Sequence, residues 1–205
     1  MFDMMKKTGE INPKTGLPLM DEAEKKKSGR FFVLYVYISA IIWIGVGVGV
    51  GFVIHNWGST DIYDARINTI SEYDLQWACL GSILLDLAVI QLNVFPYYYK
   101  AKIMRLGNTR ANMLIFKLAT DKNPEESSAV ILHEEGDLGF YNRANRSLYH
   151  FLEWSVLVIA TLPLTMYVYP FPSFIILVFF CLGRIIYQVG YTRGGFGDHV
   201  PGFAI

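Results

Sequence analysis

Residues 31–54 read FFVLYVYISAIIWIGVGVGVGFVI, twenty-four positions without a charge. At about 1.5 Å per residue such a helix is about 36 Å long, enough to cross a bilayer core. Within it, residues 45–51 alternate Gly and Val as a strand would. An open strand in lipid leaves its backbone groups unpaired, so the stretch is read as helix. As helix it carries two overlapping GxxxG pairs, Gly45/Gly49 and Gly47/Gly51, which would let a second helix approach closely.

Three further apolar runs follow. Residues 75–99 form the second span, despite Asp86, Gln91 and Asn93; residues 151–169 form the third and residues 171–191 the fourth. Only Pro170 and its neighbours separate the last two, which predicts an antiparallel hairpin with a tight turn. Trp57, Trp77 and Tyr97-Tyr98-Tyr99 fall where interfacial aromatics belong. The expected fold is an all-α integral membrane four-helix bundle with both termini on one side.

Charge placement gives the orientation, because the net charge of zero says nothing and offers no sign of nucleic-acid binding. Residues 1–30 contain seven Lys or Arg and residues 100–150 contain eight, whereas residues 55–74, read as a loop, contain Arg66 alone against four acids. The positive-inside rule places the N-terminus, the long segment and the C-terminus on one face. The first apolar run is too long and too distant from Met1 for a cleaved secretory peptide, and residues 1–30 are too acidic for a transit peptide. Cys79 and Cys181 both lie in apolar runs and read as buried small hydrophobes.

The segment between spans two and three divides in two. Residues 100–118 are expected to prolong the second helix as an amphipathic stretch, with Met104, Met113, Ile115 and Leu118 available for one or two apolar faces. Residues 121–139 are polar and turn-rich, broken at Asn123-Pro124 and Gly136-Asp137. His133 beside Glu134 and Glu135 reads as a solvated patch rather than a metal site.

Chemistry-bearing residues cluster around spans three and four. Arg146, His150 and Glu153 recur at helical spacing on one face, and Arg184, Tyr187 and Tyr191 do so on the next span. A Glu153–Arg184 ion pair is the expected way to carry both charges in lipid, either as a functional pair or as a device fixing helix register. Asp86 has no evident partner at its depth. It is expected to face a subunit interface, or to stay protonated because desolvation penalises its anion.

Tyr141-Asn142, Arg146, Leu152-Glu153, Gly183-Arg184-Ile185-Ile186-Tyr187 and Gly190-Tyr191 resemble, in order and spacing, the membrane-associated proteins in eicosanoid and glutathione metabolism (MAPEG). The likeness is to the microsomal glutathione transferase 3 branch and covers residues 75–191. It implies a glutathione site between subunits of a trimer, built here from Arg146, His150, Glu153, Arg184, Tyr187 and Tyr191. His150 stands where that family has Asn, and Ser147-Leu148 replace Ala-His. After Arg193 the family's thiolate-stabilising Arg is replaced by a segment containing His199, and a cation near a thiol is what lowers its pKa. Against the family pattern, two spans precede the first motif and fourteen residues follow Tyr191. A bundle that has gained an N-terminal span (31–54) and lost a C-terminal one is therefore expected, with residues 1–30 as a polar tail and 75–205 as the MAPEG-like domain. Residues 31–54 would fill the vacated place by packing their glycines against their own chain, or else lie outside the core and dock on a partner, leaving the place to another chain.

Two functional expectations follow from the resemblance. One is a catalytically degenerate structural or accessory subunit of a larger membrane complex, with membrane lipids and other membrane subunits as partners and no cofactor of its own. The other is an active glutathione transferase or peroxidase acting on lipophilic electrophiles, with glutathione as its thiol. Analogy with respiratory assemblies, which gather small multi-span subunits, suggests the mitochondrial inner membrane, with the endoplasmic reticulum as the alternative.

Overall fold

The structure, a computed structural model, describes residues 10–13, 17–104, 113–118 and 129–205. It is mostly helical, with four helices long and apolar enough to cross a membrane: α1 (Glu22–Trp57), α3 (Gln76–Met104), α4 (Gly136–Val168) and α5 (Pro170–Gly194). Among the described residues there are also two short helices, α2 (Asp61–Glu72) and α6 (Val200–Phe203). The Gly-Val repeat lies inside α1 as helix, as the cost of unpaired backbone in lipid requires.

Two of the long helices, α1 and α4, begin well before their apolar runs. In α1 the polar residues 22–30 are already helical, started by Asp21, whose carboxylate accepts from the Glu24 amide at 2.6 Å. In α4 more than three turns precede the apolar run, starting at Gly136, whose φ of 56° marks the bend into the helix. Tyr169 alone joins α4 to α5, and Pro170 opens α5, where a missing amide costs nothing.

The core lies among α3, α4 and α5. Ala88, Met166, Leu177 and Cys181 close one end, and Leu92, Leu148 and Phe151 close the other. Pro96 inside α3 lacks the amide that would bond the Leu92 carbonyl. The Gln188 side chain, fully buried, donates to that carbonyl at 2.9 Å and so replaces the bond from a neighbouring helix.

Helix α1 packs against α3 through its N-terminal half. A Cβ at Gly29 would lie 2.7 Å from the Tyr98 ring, so the close approach there needs glycine. Phe32 meets Tyr97 at 5.2 Å, and the Tyr37 hydroxyl donates to Gln91. The glycine ridge does not pack: a Cβ at Gly45, Gly47, Gly49 or Gly51 meets nothing within 4 Å. The expected self-packing of residues 45–51 is thus corrected. The line Gly29–Phe32–Tyr37 sets the rotation of α1, and it leaves the glycines turned away from the chain.

Three other expectations need correction. Residues 100–118 are not one helix: α3 is described as far as Met104, residues 113–115 are not helical, and Phe116–Leu118 is a strand (β1) paired antiparallel with Val130–Leu132 (β2). β-Branched and aromatic side chains in these short runs favour the hairpin, so the fold is not purely helical. Residues 105–112 and 119–128, including Asn123-Pro124, lie outside the described residues. Asn142, fully buried on α4, clamps the hairpin. It accepts from the Ile115 amide at 2.9 Å and donates to the Ile115 and His133 carbonyls, both at 2.7 Å. Residues 55–74, read as a loop, contain α2. Finally, Cys181 is buried but Cys79 is exposed, because it lies on a side of α3 that no neighbouring helix covers.

Candidate functional site

At one end of the α4–α5 hairpin the sequence motifs come together. The register is fixed by Arg143, whose Nε donates to the Thr192 carbonyl at 3.0 Å. Two turns further along α4, His150 stacks on Tyr187 with centroids 5.2 Å apart and planes 21° from parallel. Tyr187 in turn stacks on Tyr191 at 5.8 Å. The chain then turns through Gly195, at φ 80°, and folds back along α5, bringing His199 edge-on to Tyr187 at 5.1 Å and to Tyr191 at 5.7 Å. Small residues allow this return: a Cβ at Gly202 would lie 2.1 Å from the Tyr187 amide nitrogen.

Arg184 is the cation of this cluster, and it does not pair with Glu153. Its Nη1 lies 3.1 Å from His150 Nδ1, and its guanidinium sits over the rings of Phe180, Trp154 and Tyr187 at 5.2, 5.5 and 5.8 Å. Among the described residues no carboxylate pairs with it. The expected Glu153–Arg184 pair is therefore corrected. The buried line of α4 is Ala144, Leu148, Phe151 and Ser155. Glu153 lies two residues beyond Phe151, about 200° round the helix at about 100° per residue, and so faces outward. Trp154 takes the place beside Arg184 that sequence reasoning assigned to Glu153.

His150 has donors on both sides. Trp154 Nε1 donates to its Nε2 at 3.1 Å while Arg184 approaches Nδ1. A neutral imidazole has one acceptor nitrogen, so one donor is satisfied at a time and the tautomer selects which. His199 Nδ1 accepts from the Gly197 amide at 3.3 Å. Arg146 is exposed on the face it shares with His150. Asp86 is exposed on α3.

Of the six residues singled out by spacing, His150, Arg184, Tyr187 and Tyr191 are brought into contact, whereas Arg146 and Glu153 stand at the exposed rim. Sequence reasoning missed Trp154, although it lies at i+4 from His150 on the same helix. A cavity of about 510 Å³ opens beside Arg184, walled by Trp154, Phe180, Gly202, Phe203 and Ile205. One guanidinium in otherwise apolar walls is an arrangement that receives an anionic group attached to an apolar body. No family model, curated protein or solved structure matches the chain.

Proposed function

We propose that the chain is a MAPEG-like membrane subunit whose Arg184 cavity holds an anionic amphiphile, and that it serves as a catalytically silent accessory component of a larger membrane assembly. The supporting observation is the setting of Arg184, a guanidinium beside His150 and three aromatic rings at an apolar-walled cavity. Activating a thiol takes a cation beside the thiolate, and residues 194–205 supply no Lys or Arg for that second role. An arginine so placed still lacks an anionic partner from its own chain among the described residues, and a lipid headgroup or an acid of a neighbouring subunit supplies one. The bare outer half of α1 offers a neighbouring subunit contact area.

A second reading, an active glutathione transferase or peroxidase, is favoured by one feature: Arg184, Tyr187 and Tyr191 meet beside a cavity large enough for a lipophilic substrate. Native purification in mild detergent, followed by identification of co-migrating proteins and lipids, tests the first reading. It predicts stoichiometric partners and no glutathione-dependent turnover above background. Turnover that disappears in Arg184→Ala or Tyr187→Phe establishes the second reading instead.

A further inference from the structure

Between α1 and α3 lies α2, a helix of twelve residues in which every described side chain except Ile70 is exposed. Among the described residues no other helix packs substantially against it. At about 100° per residue, Tyr63, Ile67 and Ile70 fall within about 60° of one another. Asp61, Asn68 and Glu72 occupy the opposite side, with Asp64 at its edge. Tyr63 is 46% exposed and Ile67 51%, so the apolar stripe is not absorbed by the bundle.

The tethers limit where this helix can go. Residues 58–60 join it to α1 and residues 73–75 join it to α3, three residues at each end. Three residues reach at most about 10 Å. The helix is therefore held level with the ends of two apolar spans, in the zone of about 5–7 Å where a bilayer passes from acyl chain to headgroup. Trp57 and Tyr73, 75% and 56% exposed, stand at the same level, with Trp77 opening α3, and such rings favour that zone. We propose that α2 lies in the plane of the bilayer surface, with Tyr63, Ile67 and Ile70 sunk into the boundary between headgroups and acyl chains. Its polar face is acidic, so burial of apolar side chains drives the docking, and a neutral phosphatidylcholine surface suffices. The inference rests on the four long helices spanning a bilayer and is independent of the role assigned to Arg184.

The test is spin labelling of the full chain in phosphatidylcholine vesicles. Single cysteines are placed at Tyr63, Ile67, Ile70, Asp64, Asn68 and Glu72, in a Cys79→Ser background that retains the buried Cys181. Labels at 63, 67 and 70 should collide with oxygen several-fold more than with a water-soluble nickel chelate, and labels at 64, 68 and 72 should show the reverse. Equal nickel access at all six positions overturns the proposal, as does immobilisation of the 63, 67 and 70 labels out of reach of both reagents, which marks a protein partner. A label at Val48→Cys in α1 serves as the reference. Nickel access there means that α1 does not span, and the proposal falls with the membrane reading itself.

Discussion

Pro96 has no backbone N–H, and in a helix that leaves the carbonyl of the residue four places earlier without its usual donor. Here that residue is Leu92, and Gln188 of α5 supplies the donor. Gln188→Leu should therefore cost about 1–3 kcal/mol, the penalty for a buried acceptor without a partner. Pro96→Ala restores the intrahelical bond, so the double variant should melt closer to the parent than Gln188→Leu does. Equal melting of the single and double variants in detergent would show that Leu92 does not carry the effect. Glu153 gives the opposite expectation. Because it is exposed and unpaired with Arg184, Glu153→Gln should change stability by no more than about 0.5 kcal/mol, whereas a buried partner of Arg184 would have cost several-fold more. The candidate site was legible in part for this reason. Helical spacing shows which residues share a face of one helix, so His150, Tyr187 and Tyr191 could be grouped. The rotation of α4 against α5 is set by how Leu148, Phe151 and Ser155 bury against the rest of the bundle, and no spacing rule within one helix reports it.

At the level of elements, an ionic tie gathers the polar ends of three helices. Asp137, at the start of α4, accepts from Lys102 of α3 at 2.9 Å and from Lys25 of α1 at 3.1 Å. Burial favours the neutral carboxyl of Asp137, but the hydrogen bonds from Lys102 and Lys25 outweigh it and hold the group below the usual carboxylate range. Hydrogen bonds to Glu22 and Asp137 hold the Lys25 ammonium above the usual lysine range. The signs differ. The contribution of Asp137 is present above its unfolded pKa and is lost as pH falls through the lowered folded value. That of Lys25 is present below its unfolded pKa and is lost as pH rises through the raised one. The tie should therefore act across the neutral range and fail at both extremes. Asp137→Asn should cost about 1–2 kcal/mol near neutral pH and flatten the acid limb of a plot of melting temperature against pH; an unchanged acid limb would remove Asp137 from that role. Neither the tie nor the hairpin beside it was legible beforehand. The four apolar spans stand out because a bilayer demands long uncharged runs. The segment between α3 and α4 has no such constraint, and the turn signal at Asn123-Pro124 between β1 and β2 marks a break without fixing which flanking residues pair.

For the whole molecule, the arrangement of charge and the path of the chain make one joint statement about sidedness. Lys25, Lys102, Asp137 and Arg143 gather at one end of the bundle, tied by Lys25–Asp137, Lys102–Asp137 and the bond from Arg143 to Thr192 near the end of α5. Arg66 lies at the other end, on α2. The long segment before α4 therefore shares its end with the start of α1, as four crossings require. The positive-inside rule puts that end on the cytoplasmic side in a bacterial host. Single cysteines at Lys26, Val130 and Arg66, in the Cys79→Ser background, would report the two sides. Lys26 is exposed on the polar start of α1 and Val130 is 65% exposed on β2, so neither label disturbs a packed contact. In intact spheroplasts a membrane-impermeant maleimide should modify Arg66→Cys, and it should reach Lys26→Cys and Val130→Cys only after permeabilisation. Labelling of Lys26→Cys and Arg66→Cys from the same side would mean that α1 does not cross, and the four-span topology would fail. Labelling of Val130→Cys together with Arg66→Cys, with Lys26→Cys protected, would instead mean that α3 re-enters without crossing. The Gln91 and Asn93 side chains and Pro96 in the second half of α3 would then be the first places to look for the cause.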